Sequence, residues 1–247
     1  ASSGLGREFV RQIAEQGKVE EIWAIARRRD RLEALQSISA VPIRVLALDL
    51  TRPGDMEYLR NTLQDELPDI RILVNAAGMG RMGPTVDIPA KDNDAMIDLN
   101  CRGLVDMTRA TLPYMERGSR IIQVASAAAF TPLPHMNVYA ATKSFVLHYT
   151  RALRWELHGT GITATALCPT WVKTGFEKVA RTSGGGHDVG HLLGEQTPQD
   201  VVHRALCANK AHFAVACASP QSAALRLIGK VVPSCITMAG WDVLRRL

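Results

Sequence analysis

The chain has 247 residues, 47% of them hydrophobic, and its formal net charge is +5. This length and composition are those of one globular domain that is large enough for a full core. No apolar stretch reaches the roughly 18 residues that a membrane span needs, and no signal peptide is visible.

The five cysteines are widely spaced and form no Cys-x-x-Cys pair. An odd number of scattered cysteines is typical of free thiols in a reducing compartment. We therefore expect a cytoplasmic protein.

Short apolar runs alternate with amphipathic segments along the chain, a pattern that predicts βαβ units and a parallel sheet. Strands are predicted at Glu21–Ala26, Ile43–Leu48, Ile70–Asn75, Arg120–Ala125, Ile162–Leu167 and His212–Cys217. Helices are predicted at Gly4–Gln16, Arg29–Gln36, Asp55–Leu67, Asp92–Met115, Val138–Leu157 and Pro198–Ala208. The predicted fold class is α/β.

Two segments depart from this alternation. Residues 173–197 are polar and rich in glycine, and we predict a mobile substrate lid there. Residues 219–247 form a C-terminal extension in which apolar residues alternate with Arg and Lys. The extension fits a helix pair that covers the pocket or makes an oligomer contact, and it also fits an interfacial anchor for peripheral membrane association.

Tyr139 and Lys143 are four residues apart in a predicted helix, a spacing that places both side chains on one face. A free tyrosine has a pKa of about 10 and is a poor base at neutral pH. A cation held beside the phenol favours the phenolate, so the pair can pass a proton to or from an alcohol oxygen. In isolation, the pattern also fits a packed tyrosine beside a solvated lysine.

Other motifs accompany this pair in a fixed order. The chain opens with Ala1-Ser2-Ser3-Gly4-Leu5-Gly6, Asn75-Ala76-Ala77-Gly78 follows an apolar run, and Ser126 follows another run before Tyr139. With Asn100, these motifs resemble the classical short-chain dehydrogenase/reductase family from Ala1 to about Ala218. The resemblance implies one Rossmann-type domain over residues 1–218, with a doubly wound parallel sheet flanked by helices.

The family's glycine motif, Thr-Gly-x-x-x-Gly-x-Gly, follows the first strand, whereas the numbering here starts inside that motif. In a doubly wound sheet the first strand lies in the middle, and its loss would expose two sheet edges. We therefore expect the working protein to carry this strand before residue 1.

The end of the strand at Glu21–Ala26 bears on the choice of cofactor. An acidic residue there would bind the ribose 2′-hydroxyl and select NAD, but Ala26 holds the position and is followed by Arg27 and Arg28. Guanidinium groups bind a 2′-phosphate in bidentate fashion, so we predict NADP(H). The alternative is a solvated basic turn, which Arg29 and Arg31 fit.

The resemblance implies the rest of the cofactor site. The segment Ser3, Gly4, Leu5 and Gly6 would lie against the pyrophosphate at a helix N-terminus. Asp49 and Leu50 would bind the adenine, and Asn75, Ala76, Ala77 and Gly78 would steady the sheet and line the adenosine ribose. Pro169, Val172 and Thr174 would hold the nicotinamide carboxamide, although Thr170 replaces the family's glycine.

Four catalytic residues follow from the same resemblance. Tyr139 would be the general acid in reduction, and Lys143 would lower its pKa and bind the nicotinamide ribose. Ser126 would donate a hydrogen bond to the developing alkoxide, and Asn100 would hold a water that links Lys143 to solvent. The structural alternatives are that Asn100 caps a helix kink and that Ser126 only ends a strand.

The residues expected around the substrate are mostly apolar, namely Ala127, Ala128, Ala129, Phe130, Leu133, Met136, Trp171 and Phe176. They favour a hydrophobic ketone or secondary alcohol of the hydroxysteroid or long-chain kind. Two alternatives remain, a 3-oxoacyl thioester reductase and an NADPH-sensing protein without turnover. Relatives pair through two long helices, predicted here at 92–115 and 138–157, so we expect a homodimer or homotetramer.

Nucleic-acid and metal sites are not predicted. The basic run at residues 27–31 has no helix-turn-helix, zinc finger or aromatic platform beside it. His187 and His191 have the spacing of a helical metal pair, but their segment is too rich in glycine for a firm helix.

Overall fold

The structure is a computed structural model that describes residues 1–176, 180 and 194–246. Most of the predicted lid at 173–197 therefore lies outside the described residues, as do His187 and His191. The five thiols, all within the described part, form no disulfide.

Every described strand lies within, or one residue beyond, a predicted strand segment, and all pairings are parallel. Strands β1 (Ile22–Ala26) and β2 (Ile43–Ala47) form one sheet. Strands β3 (Ile72–Asn75), β4 (Arg120–Val124), β5 (Thr163–Cys168) and β6 (Val215–Cys217) form a second sheet in that order. The predicted α/β class with a parallel sheet is confirmed.

Across the described residues, the two sheets are not hydrogen-bonded to each other. At the free edge of β1, the amino group of Ala1 donates to the carbonyl of Ile25 at 3.1 Å.

The described helices follow the strands in alternation. Their bounds are α1 (Gly4–Glu15), α2 (Arg29–Glu33), α3 (Pro53–Glu66), α4 (Ala90–Ile97), α5 (Gly103–Thr111), α6 (Asn137–Glu156), α7 (Pro198–Lys210), α8 (Pro220–Val231) and α9 (Ser234–Leu244). No helix in the described part is long and apolar enough to cross a membrane.

Helices cover both faces of the main sheet, and the alternation of side chains along β4 shows how. Ile121 packs in a buried cluster with α3, α5 and α6, whereas its neighbour Ile122 packs in another cluster with α1 and α7. Successive residues of a strand point to opposite faces. The sheet is therefore the middle layer of three, and its carboxyl-terminal edge is left open for a site.

The segment predicted as one helix over Asp92–Met115 is helical from Ala90 to Tyr114, but it is not one regular α-helix. The segment is α4, a π-helical turn at Asp98–Arg102, α5 and a short 3-10 turn at Leu112–Tyr114. A π turn inserts one residue into the helical repeat, too small a change for hydrophobic periodicity to detect. The buried Asn100 lies within this turn.

Two other predicted elements are shorter than expected. The last strand begins at Val215 rather than His212, because His212 has a left-handed backbone with φ of 60°. The helix predicted at Arg29–Gln36 ends at Glu33 and continues as a 3-10 turn.

The C-terminal extension is a helix pair, as one of the two interpretations expected. The hydroxyl of Ser219 accepts a hydrogen bond from the backbone of Ser222 and caps α8. Pro233 separates α8 from α9, in keeping with the inability of proline to continue a helix.

Candidate active site

A cavity of about 1500 Å³ lies along the carboxyl ends of the strands. Its wall begins at residues 1–6, passes the ends of β1, β2, β3, β4 and β5, and finishes at α8 and α9. Ligands of open parallel α/β sheets bind at this edge. Most of the predicted site residues line this one cavity.

Tyr139 and Lys143 lie one turn apart on α6, and both are buried. The Lys143 ammonium donates to the carbonyl of Val124 at 2.9 Å and lies 5.8 Å from the centre of the Tyr139 ring. Ser126, just after β4, accepts a hydrogen bond from the Ala128 amide at 3.1 Å. All three side chains line the cavity.

The electrostatics of this group are dominated by burial. Burial raises the pKa of Tyr139 to about 12, and a hydrogen bond with Ser126 offsets part of the rise. Burial also lowers the pKa of Lys143 to about 8. The Lys143 ammonium bonds to the Val124 carbonyl rather than to the phenol.

Asn100 closes the far side of Lys143 without lining the cavity. Its side chain accepts from the Met79 amide at 2.9 Å and donates to the Met79 carbonyl at 2.8 Å, and it also donates to Thr142 at 3.0 Å. A Cβ atom on Gly78 would lie 3.2 Å from Asn100 Oδ1 and 3.3 Å from Lys143 Nζ. The glycine thus lets the chain after β3 approach both groups closely.

At the other end of the cavity, the segment Ser3-Gly4-Leu5-Gly6 opens α1. Gly4 has φ of +52°, which favours glycine. The Arg28 guanidinium donates to the hydroxyls of Ser2 and Ser3 at 3.2 and 3.3 Å. Arg27 lies 3.8 Å from the Asp49 carboxylate. The predicted phosphate-binding arginines and the glycine turn are therefore neighbours.

Asp49 is positioned by its own turn. Thr51 donates to its carboxylate from both the amide and the hydroxyl, at 3.0 and 2.7 Å. Burial alone would raise the pKa of Asp49, but these bonds and the nearby Arg27 and Arg52 bring it below its usual value. Leu50 also lines the cavity.

The motif after β3 divides between two tasks. Ala76, Ala77 and Gly78 line the cavity, whereas Asn75 does not. Asn75 is buried and donates to Thr108 of α5 at 3.1 Å. It holds the sheet to that helix, which is one of the two roles expected of it.

The loop that follows β5 is held by a residue that sequence reasoning missed. The Gln196 backbone exchanges hydrogen bonds with Trp171 and Lys173, each at 2.9 Å. Its side chain accepts from Thr170 and donates to the Ala218 carbonyl at 2.7 Å. Gln196 therefore fixes the segment that presents Pro169, Val172 and Thr174 to the cavity. The only signal in the sequence was its place just before the Pro198 helix.

The substrate end of the cavity is apolar. Tyr139 is packed in a cluster with Met96 and Met136, against which Leu133, Phe176 and Trp241 lie. Phe176 contacts the Tyr139 ring at a centroid distance of 5.7 Å. The Trp241 indole donates to the Pro134 carbonyl at 2.9 Å and ties α9 over this end.

Two residues expected at the substrate do not reach this cavity. Ala129 and Phe130 line a separate cavity of about 580 Å³ between α6 and α8, because the 3-10 turn after Ser126 directs them away from Tyr139. Ala127, Ala128, Leu133, Met136, Trp171 and Phe176 line the main cavity as expected.

Comparisons with known proteins agree with this geometry. A family model described as short chain dehydrogenase matches residues 1–184. An NADP-dependent 3-hydroxy acid dehydrogenase of Salmonella typhi is 34% identical over 208 residues, which are 81% of this chain and 83% of that protein.

Solved structures resemble the chain over most of its length. A short-chain dehydrogenase from Sphingobium yanoikuyae in complex with NADPH matches with a TM-score of 0.76 and 26% identity, over 100% of this chain and 91% of that one. A bulky-bulky ketone specific alcohol dehydrogenase from Comamonas testosteroni matches with a TM-score of 0.71 and 25% identity, over 88% and 83%.

Proposed function

The chain belongs to the short-chain dehydrogenase family and is an oxidoreductase, and we propose that it transfers hydride between NADP(H) and a hydrophobic ketone or secondary alcohol. The observation that carries the proposal is the apolar end of the cavity around Ser126 and the buried Tyr139 and Lys143. A hydroxysteroid or a long-chain ketone is the substrate class that this lining favours.

The residues present fit NADP(H). The cavity runs without a break from the glycine turn at Gly4 to Tyr139, and Gly78 leaves the space beside Lys143 that a side chain would fill. Arg27 and Arg28 line the adenosine end, where guanidinium groups suit a 2′-phosphate. The NADPH complex of the Sphingobium yanoikuyae protein supports this choice. When bound, the cofactor supplies or accepts the hydride.

The chain's own residues handle the proton. In reduction, Tyr139 gives its phenolic proton to the substrate oxygen, which bears negative charge once the carbon is reduced. Ser126 donates a hydrogen bond to the same oxygen and stabilises that charge. Lys143 in its ammonium form lies beside the phenolate so formed and favours it.

Apolar side chains around Tyr139 exclude water from this transfer and bind the substrate by burial. The alcohol dehydrogenase of Comamonas testosteroni, specific for bulky-bulky ketones, supports a large apolar substrate.

A 3-hydroxy acid is the second candidate substrate, because the Salmonella typhi relative acts on that class. Arg81 and Lys91 line the cavity and suit a carboxylate, but Asp94 and Asp98 line it too, and Arg81 bonds to Asp92 at 2.8 Å. The nearby cations are thus offset by carboxylates, so we place this class second.

We also propose a homodimer or homotetramer that forms through α5 and α6. Phe145 on α6 is 42% exposed and stacks on Tyr149 of the same helix, with ring centres 6.0 Å apart. An exposed aromatic pair on a long helix suits a contact with a second copy.

The test is NADPH oxidation by the protein on steroid ketones, long-chain ketones, 3-oxoacyl thioesters and 3-oxo acids, with NADH in parallel. We expect turnover of an apolar ketone, faster with NADPH than with NADH. Preference for a 3-oxo acid would replace the substrate class, and preference for NADH would overturn the cofactor assignment.

Tyr139→Phe separates catalysis from binding. The variant lacks the proton donor but keeps the ring that packs on Phe176, so we expect normal NADPH binding by fluorescence and a turnover at least roughly a hundredfold lower. Turnover at the level of the unmodified protein would refute the role of Tyr139. NADPH binding without turnover by the unmodified protein on every substrate would favour the sensing alternative.

A further inference from the structure

Helices α8 and α9 carry apolar residues toward the cavity and also toward solvent. Leu225 of α8, Val232 just after it, and Trp241 and Leu244 of α9 line the cavity. Two further pairs of apolar residues are exposed to solvent, and of these four only Ile236, at the cavity rim, also lines the cavity. Leu227 and Val231 are 62% and 69% exposed, and Ile236 and Val243 are 59% and 60% exposed.

These four residues form one stripe on each helix. Leu227 and Val231 are separated by four positions, and Ile236 and Val243 by seven, so each pair lies on one helical face. From Ser234 to Trp241, α9 has no charged residue. Exposed apolar stripes on a protein surface commonly mark a contact with a partner or a membrane, and no described residue covers these two stripes.

The charge around the stripes indicates what would cover them. The segment 219–246 carries four cations (Arg226, Lys230, Arg245 and Arg246) and one carboxylate, Asp242, so its net charge is +3. Asp242 already pairs with Arg245 and Arg246. A second copy seated on this surface would bring two equal surpluses of cations together. Anionic lipid headgroups would neutralise them while the stripes enter the interface.

We propose that the α8–α9 pair docks this enzyme on an anionic membrane surface. Ile228 and Ile236 belong both to the cavity lining and to the exposed surface, so docking places the cavity mouth against the lipid. One consequence rests on the proposed function: a hydrophobic ketone dissolved in the bilayer would reach Tyr139 without crossing water.

The test is sedimentation of the full chain with vesicles, without substrate. One set is phosphatidylcholine alone, and the other contains about 30% phosphatidylserine. We expect binding to the anionic set, and binding about tenfold weaker for Leu227→Gln/Val243→Gln, which removes one apolar side chain from each stripe. Lys230→Ala should weaken binding to the anionic vesicles about fivefold.

The matched control is Val86→Gln, which changes a residue that is 91% exposed outside the helix pair and should leave vesicle binding unaltered. Absence of binding to anionic vesicles, or equal binding by the double variant, would overturn the proposal. The proposal would also be overturned if sedimentation velocity showed that the double variant is a smaller oligomer than the unmodified protein, because the stripes would then join two copies of the chain.

Failure of docking can be told apart from failure of the proposed function. Leu227 and Val243 do not line the cavity, so the double variant should reduce a water-soluble ketone without vesicles as fast as the unmodified protein. With a ketone carried in anionic vesicles, its KM should rise at least several-fold while kcat holds. An unchanged KM would refute delivery from the lipid.

Discussion

Burial shifts Tyr139 and Lys143 in opposite directions, and each shift favours the neutral form. The pKa of the phenol rises to about 12 and that of the ammonium falls to about 8. Tyr139 is thus protonated near neutral pH, as the proposed role of proton donor in reduction requires. Keeping Lys143 charged near neutral pH has a cost in folding free energy. This cost can be measured.

The difference in stability between Lys143→Met and the unmodified protein should depend on pH. Below about pH 8 the folded protein carries a buried cation, and the shift from 10.5 to about 8 corresponds to about 3 kcal/mol. Between pH 8 and 10.5 the folded state loses this proton before the unfolded state does, so the unmodified protein gains stability. Urea unfolding at several pH values should show the difference moving by about this amount in favour of the unmodified protein.

Two features keep this measurement interpretable. The loss of the hydrogen bond to Val124 lowers the stability of the variant at every pH. Above about pH 10 the ionisation of Tyr139 in the unfolded state destabilises both proteins equally. Neither effect changes how the stability difference depends on pH. The control is Lys91→Met, which removes an exposed lysine. A pH-independent difference for Lys143→Met would contradict the assigned cause.

Arg28→Ala should weaken NADPH much more than NADH. Its guanidinium is held at the glycine turn by Ser2 and Ser3, where a 2′-phosphate would gain a charge-assisted bond that NADH cannot form. We expect the KM for NADPH to rise roughly tenfold or more, with little change for NADH. Steady-state kinetics with both cofactors measure this.

Arg29→Ala is the matched control, because Arg29 is adjacent in sequence, faces Glu33 and does not line the cavity. If Arg28→Ala raised the KM for both cofactors equally, Arg28 would act through its general positive charge rather than as a ligand of the 2′-phosphate.

At the scale of elements, the sequence predicted which segments are helices and strands better than it predicted the irregular turns within them. Hydrophobic spacing is the same on both sides of the π turn at Asp98–Arg102, so Asn100 was placed in a continuous helix. Its anchoring to the Met79 backbone depends on the chain after β3, which is distant in sequence. Gln196 was missed for the same reason, since its partners lie in loops that are distant in sequence.

Gly229→Ala should loosen α8 from the loop that follows Ser126. A Cβ atom there would lie 2.3 Å from the Phe130 carbonyl oxygen. Backbone cannot yield as a flexible side chain does, so we expect a loss of about 1–3 kcal/mol in the free energy of unfolding. Because α8 lines the cavity, the KM for the substrate should rise as well.

Gly240→Ala serves as the control within the same helix pair. A Cβ atom on Gly240 meets nothing within 4 Å, so this change should raise stability by about 0.5–1 kcal/mol through helix propensity. Equal stability of the two variants in urea would mean that α8 does not pack closely on Phe130.

At the scale of the whole molecule, the alternating pattern predicted a parallel sheet and the family resemblance implied helices on both of its faces. The clusters around Ile121 and Ile122 agree with both. The two faces of the C-terminal helices could not be assigned from the sequence. Apolar residues on α9 occur all around the helix, and only the position of Trp241 over the cavity distinguishes inside from outside.

Assembly through α6 predicts that Phe145→Glu yields monomers. In a two-fold contact, a carboxylate on the outer face of α6 would be buried without a partner, and it would face the same carboxylate of the second copy. Sedimentation velocity should show the unmodified protein as a dimer or tetramer and the variant at half that mass or less. Tyr58→Glu, at an exposed aromatic residue on α3, should leave the mass unaltered. An intact oligomer in Phe145→Glu would move the contact away from α6.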